Sequence, residues 1–300
     1  MARHPVLTTA PGTRPEAFGA REWGLVAAVA LMWGSSFLWI AEGLEHFSPP
    51  VVSLSRLLLG AVALAVFPGT RAGVERADWP RIALLGLVWM AVPLLLFPIA
   101  QQWVDSSIAG AINGSMPIFS AALAAVLLRR APGRRQALGL AVGFAGVLLV
   151  TLTEATGASG SPAGIGLLVL ATLLYAVAFN LAIPLTQRYG SLPVLLRAQL
   201  VAIAVVLPFG LWGLRSSEWD WQGAGAMVLL GVFGSGLAFV ASTTLGARAG
   251  PTRGAIPIYF LPVVALALGV LVRDEPIVPV AVGGIALVIA GAWLSSRREA

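Results

Sequence analysis

Ten apolar segments follow one another through the chain, at 23–41, 50–67, 81–103, 106–128, 136–152, 163–182, 192–212, 222–245, 253–272 and 277–295. Each is close to the roughly 20 residues that a helix needs to cross the hydrocarbon core of a bilayer. In hydrocarbon, every backbone N–H and C=O must find its partner inside the protein, which for apolar runs of this length means a bundle of transmembrane helices. Composition agrees. Only 11% of the residues are charged and 58% are hydrophobic, too few charges to cover a water-facing surface of this size. The expected fold class is therefore an all-α integral membrane protein of ten transmembrane helices. No gap between segments has room for a folded soluble domain. Residues 1–22 are polar and broken by Pro5, Pro11 and Pro15, and read as a disordered cytoplasmic tail. They do not read as a signal peptide, because the apolar run after them is long and no small-residue cleavage site follows.

The placement of charge sets the expected orientation. With the N-terminus inside, fifteen of the nineteen Arg residues fall in inner gaps and tails. Arg215 and Arg273 fall in outer loops, and Arg56 and Arg197 lie within segments. That bias obeys the positive-inside rule and puts both termini in the cytoplasm, which requires an even number of helices. Arg scattered through short gaps builds no basic face, so no nucleic-acid partner is expected. The chain has no Lys, and with its excess of Ala, Gly and Val this points to a bacterial genome of high GC content and hence to the inner membrane. Absence of Cys removes disulfides, thiolate metal sites and thiol catalysis. No H-E-x-x-H, Ser-His arrangement, paired buried carboxylates or phosphate-binding loop occurs, so neither an enzyme nor a metal or cofactor is expected. The expected partners are bilayer lipid and a small-molecule substrate, with the chain a monomer or weak homodimer.

The sequence also repeats itself. Gly139 to Gly146 in the fifth segment resembles Gly284 to Gly291 in the tenth, an offset of 145 residues. Leu85-Gly86 matches Leu230-Gly231 and Met116-Pro117 matches Leu261-Pro262 at the same offset, and Arg56 and Arg197 follow similar Ser/Pro starts 141 residues apart. Two five-helix repeats result, 23–152 and 163–295. Five is odd, so the second repeat enters the membrane in the opposite sense. Inverted repeats that close around a central pathway are the architecture of many secondary transporters.

These pieces, with Trp33-Gly-Ser-Ser-Phe37, Arg56 and Ala109 to Pro117, resemble the drug/metabolite transporter superfamily, in particular its ten-helix EamA-type members. The resemblance spans about residues 20–296. It implies a carrier of small molecules, usually an exporter of amino acids or related metabolites. The glutamate that this family carries after its second Pro-containing helix is present as Glu275. Its first-half counterpart falls at Arg130 or Ala131 and is not acidic.

Candidate substrate contacts follow from residues that are costly in lipid. The fourth segment carries Asn113 and Pro117, and the ninth carries Tyr259 and Pro262. Pro lacks an N–H and frees a carbonyl, and interrupted helices at matching positions of two repeats point to a transport site; the competing reading is a kink for packing. Arg56 and Arg197 sit roughly 9 Å along their helices. An intramembrane Arg either meets an anionic substrate group or snorkels to the headgroups. Trp33 and Phe37, with Ser36 between them, share a face with i, i+4 spacing, as do Tyr175 and Phe179 beside Asn180. Trp89 adds a further amphipathic ring. Six other Trp residues, Trp23, Trp79, Trp103, Trp219, Trp221 and Trp293, lie near segment ends and read as an interfacial belt. The glycine-rich fifth and tenth segments are expected to be scaffold. All thirteen acids fall in tails, loops or segment ends, so facilitated diffusion or exchange is expected in place of proton coupling. A channel-like or accessory protein, or an exporter of hydrophobic drugs, is the alternative.

Overall fold

The computed structural model describes residues 7–104, 109, 112–154, 161–261, 263–264, 267–268 and 279–297. It is helical, with no strand among the described residues. The first segment forms two helices, α1 (Ala20–Gly34) and α2 (Ser36–Leu44), broken at Ser35. Next, α3 (Pro49–Ala65) opens on two prolines, tolerated there because the first turn has no intrahelical acceptors for its N–H groups. Two 3₁₀ turns lead to α4 (Trp79–Leu85), a π-helical turn (Gly86–Ala91) and α5 (Val92–Ala100), which run on continuously. After these come α6 (Met116–Leu128), α7 (Arg134–Glu154), α8 (Pro162–Tyr189) and α9 (Ser191–Gly213). The second half then repeats the device: α10 (Trp221–Leu229), a π-helical turn (Leu230–Leu237) and α11 (Ala238–Ala249) are continuous. The short α12 (Pro251–Gly254), a 3₁₀ turn (Ile256–Phe260) and α13 (Pro279–Ser296) complete the described helices. Single glycines at positive φ, Gly190 at 81° and Gly250 at 83°, join α8 to α9 and α11 to α12. A side chain there would be strained, and the tight reversal keeps each pair in contact.

Among the described residues, five stretches are long and apolar enough to cross a membrane: Ala20–Leu44, Arg76–Ala100, Pro162–Tyr189, Ser191–Ser216 and Trp221–Ala249. Pro49–Ala65, Ile112–Leu128 and Val282–Ser296 are shorter apolar helices. Their outer faces are apolar too: Leu200, Phe209, Leu211 and Trp212 along α9 are exposed, as are Val62 on α3 and Leu170 on α8. Apolar surface of this extent is solvated by lipid, and the chain is a multi-pass membrane protein. Trp79, Trp103, Trp219, Trp221 and Trp293 are exposed near helix ends, where amphipathic rings suit the headgroup zone.

Packing between the halves is reciprocal. The second π turn lies against α3 and the first against α9; α8 lies against α5, α11 against α1, α9 against α3 and α13 against α7. Glycine makes the closest of these contacts possible. A Cβ on Gly86 would lie 2.5 Å from the Ala198 carbonyl oxygen, and one on Gly231 would lie 2.5 Å from Leu59 Cβ. Along α7 and α13 the seam is backbone to backbone, with a Gly291 Cβ only 2.3 Å from Gly143 N and a Gly146 Cβ 2.6 Å from the Gly284 carbonyl oxygen.

Residues 7–19, expected from composition to be disordered, run as an extended strap across one end of the bundle. The last carbonyls of a helix lack intrahelical donors. Here Thr13 N and Arg14 N donate to the carbonyls of Ala247 and Arg248 at the end of α11 (3.3 and 2.8 Å). Arg253 completes the tie by donating to the carbonyls of Pro15, Glu16 and Ser296. At the root of the strap, Glu22 is paired with Arg248.

Candidate functional site

A cavity lies between the halves, with about 600 Å³ of space not filled by protein atoms, part of it open to solvent. Elements of the first half supply Trp33, Ser36, Phe37, Ile40, Arg56, Trp89, Leu94, Phe97, Asn113 and Met116, and the second half supplies Tyr175, Phe179, Phe239, Ile258 and Leu261. Neither α7 nor α13 contributes a described residue. The walls are aromatic and locked edge to face. Trp33 meets Phe239 with ring centroids 5.3 Å apart, and Trp89 meets Phe239 at 4.9 Å and Phe179 at 6.0 Å. On the other wall Phe97 stacks on Tyr175 at 5.6 Å and 14°, with Phe37 beside it.

The polar groups of the cavity depend on the π turns. Such a turn shifts the backbone hydrogen-bond register and leaves carbonyls for other donors. In the Leu230–Leu237 turn, the Gly234 carbonyl accepts from Trp33 Nε1 at 2.9 Å and the Ser235 carbonyl accepts from Gln199 Nε2 at 3.1 Å. Ser235 Oγ accepts from Arg56 Nε at 2.8 Å. Arg56 is only 4% exposed, and among the described residues it has no acidic partner. The first π turn carries Trp89 into the same ring cluster, against Phe239 and Phe179.

Asn113 lies on the short helical piece that ends at Ser115, ahead of α6. Pro117, four residues on, cannot donate to the Asn113 carbonyl, which is why the helix breaks here. The Asn113 Oδ1 is buried and has no hydrogen-bond partner among the described residues. The second half has a comparable interruption in the 3₁₀ turn Ile256–Phe260, which brings Ile258 to the cavity. The cavity combines rings on two walls with one guanidinium and an amide oxygen that has no partner among the described residues, a mostly apolar lining with a few polar groups as ligand pockets have.

The EamA-like transporter family profile matches residues 22–152 and again residues 162–297. The chain belongs to the EamA-like transporter family. A relative from Streptantibioticus cattleyicolor, named "Probable terminal-alkyne amino-acid exporter", is 31% identical over 92% of this chain and 93% of its own length. An uncharacterized transporter of Archaeoglobus fulgidus is 23% identical over 93% of this chain and 100% of its own, and the uncharacterized inner membrane transporter YedA of Escherichia coli is 26% identical over 82% and 81%. A crystal structure with 18% sequence identity superposes with a TM-score of 0.72, covering 91% of this chain and 95% of that one. It shows the fold alone. Members of this family are transporters, not enzymes.

Of the residues expected at the site, Trp33, Ser36, Arg56, Trp89, Asn113 and Tyr175 line the cavity, with Phe37 and Phe179 beside them. Three do not. Asn180 turns away, its Nδ2 donating to the Ser120 carbonyl and Ser120 Oγ (both 3.1 Å) and to the Ala176 carbonyl at 2.9 Å, so that it joins α8 to α6. Tyr259 packs into the Gly143 groove of α7 and donates to the Leu140 carbonyl at 3.2 Å. Pro117 is buried in the first turn of α6 and shapes the break without lining the cavity. Pro262, like Glu275, lies outside the described residues. Of the two intramembrane arginines, Arg197 is spent on structure, donating to the carbonyls of Thr70, Pro193 and Ala72. Phe97, Phe239 and Leu94 line the cavity without having been singled out. They are apolar residues in apolar segments, so only the neighbouring halves identify them.

Proposed function

We propose that this chain is a secondary transporter that exports small metabolites carrying a carboxylate and an apolar body, amino acids among them, across the bacterial cytoplasmic membrane. The observation that carries this reading is Arg56, buried in an aromatic cavity between reciprocally packed halves with a neutral hydroxyl as its partner. A guanidinium in that setting favours an anionic group, and the rings favour an apolar remainder. The name of the Streptantibioticus relative supports an amino-acid-like cargo. Reciprocal packing and the twice-matching family profile support ten spans as two inverted five-helix repeats, with both termini cytoplasmic as the Arg bias indicates. Such repeats rock about a fixed central site and open it to one side at a time. The protein works without a cofactor, as a monomer or weak homodimer.

Counterflow tests it. Purified protein in liposomes, preloaded with unlabelled compound, is assayed with a labelled panel of amino acids and related metabolites, beside Asn113→Leu. Saturable exchange that the variant loses is the expected result. Flux that rises linearly with concentration would mean a channel, and exchange of hydrophobic drugs alone would replace the cargo class.

A further inference from the structure

We propose that the preferred cargo bears one net negative charge, and that the membrane potential drives it outward. The inference rests on the transport reading above and extends it to the charge of the cargo and the source of energy. Arg56 is the starting point. Its guanidinium is buried in the cavity wall, and its Nε is occupied by the Ser235 hydroxyl, which carries no charge. Holding a bare cation in a low-dielectric bundle is expensive, and a carboxylate arriving from water removes that cost by a charge-assisted pair. The other polar features of the lining are neutral: the Ser36 hydroxyl, the Asn113 amide and the Tyr175 phenol. The buried Asn113 Oδ1, which has no partner among the described residues, accepts one N–H or O–H from the cargo. Among the described lining residues no carboxylate faces this space to balance an ammonium. A zwitterion brings its positive charge into a site that already holds one. A monoanion with a hydroxyl or amide donor and an apolar or aromatic body satisfies every feature at once.

The charge of the cargo fixes the energetics of the cycle. Arg56 belongs to the protein and returns with it, so each complete cycle moves only the charge of the cargo. One negative charge leaving a cell whose interior is negative runs down the potential. The work available corresponds to a concentration ratio of about 50-fold per 100 mV. Outward accumulation then needs no proton-carrying Asp, Glu or His in the bundle.

The full chain in liposomes decides it, with three probes of one shape. The probes are 3-phenyllactate (a monoanion), phenylalanine (a zwitterion) and phenylalaninamide (a monocation), and a potassium diffusion potential is set with valinomycin. The expected result is saturable flux in which 3-phenyllactate competes at least tenfold better than phenylalanine. An interior-negative potential should accelerate its efflux and reversal of the potential should slow it. Arg56→Gln removes the preference and Arg56→Lys restores part of it; the wild-type comparison stands even if neither variant folds. Saturable exchange favouring phenylalanine, or 3-phenyllactate flux indifferent to potential, overturns this inference and leaves the transporter intact. No saturable flux of any probe overturns both.

Discussion

At the scale of single residues, one residue type serves as a structural tie at one position and as cavity lining at another. Tyr259 and Tyr175 show the contrast. The Tyr259 hydroxyl is satisfied by the Leu140 carbonyl and its ring fills the Gly143 groove, whereas Tyr175 stacks on Phe97 at the cavity wall. Tyr259→Phe should therefore lower stability by about 1 kcal/mol through the lost hydrogen bond, measured as a lower midpoint of thermal unfolding in detergent. The half-saturation concentration for exchange should not move; a several-fold rise would return Tyr259 to the site. Trp33→Phe is expected to do the opposite. It leaves the Gly234 carbonyl without its donor inside the π turn that holds Arg56, and half-saturation should rise several-fold. The family resemblance favours Arg56 over Arg197, but their own sequence settings do not separate them, because both are lone cations in apolar segments with Ser and Pro upstream. The difference lies in what the fold brings to each: a hydroxyl in a cavity for one, three backbone carbonyls for the other.

Among the elements, the scaffold was legible and the π turns were not. The glycine-rich repeats at Gly139 to Gly146 and Gly284 to Gly291 announce close helix packing, since only a residue without a Cβ lets two backbones touch. Gly291→Val should abolish a monodisperse peak in size-exclusion chromatography, because its Cβ would meet Gly143 N at 2.3 Å. Gly166→Ala on α8, where a Cβ meets nothing within 4 Å, should keep that peak and raise thermal stability, by up to about 1 kcal/mol from helix propensity. A preserved peak in Gly291→Val would mean that the seam is not required. A π turn carries no comparable mark. One residue of register shift changes neither hydropathy nor periodicity enough to notice, although Leu85-Gly86 and Leu230-Gly231 stand where the two turns begin. The order of residues 7–19 was hidden for a related reason. Their bonds run to helix-end carbonyls more than 200 residues away, and composition says nothing of such acceptors.

For the whole molecule, the reciprocity of the halves extends to two ionic ties at opposite ends of the bundle, and they are unequal. Asp220 follows Asp78 by the same 142 residues that separate Arg188 from His46. In one tie, buried Asp78 accepts from Arg81 and Arg188 (both 2.9 Å) and from the Tyr189 hydroxyl at 2.7 Å, binding the start of α4 to the end of α8. In the other, His46 after α2 and Asp220 before α10 are 3.6 Å apart and each more than a third exposed. An exposed pair contributes at most about 1 kcal/mol, whereas a buried carboxylate with three donors is costly to strip. This conformation is thus held more firmly at the Asp78 end, the cytoplasmic end in the orientation proposed above. If the halves rock, that tie must break before the cavity opens inward. The chain has no Cys, so one introduced thiol reports access cleanly. Phe179→Cys, on the cavity wall, should react slowly with a membrane-impermeant thiol reagent applied from the Asp78 side. Adding Asp78→Asn should speed that labelling at least fivefold. Adding Asp220→Asn in its place should leave the rate unchanged or reduce it, because loosening the outer tie favours the opposite state. Equal labelling in all three proteins would show that the Asp78 tie fastens a loop and does not govern access.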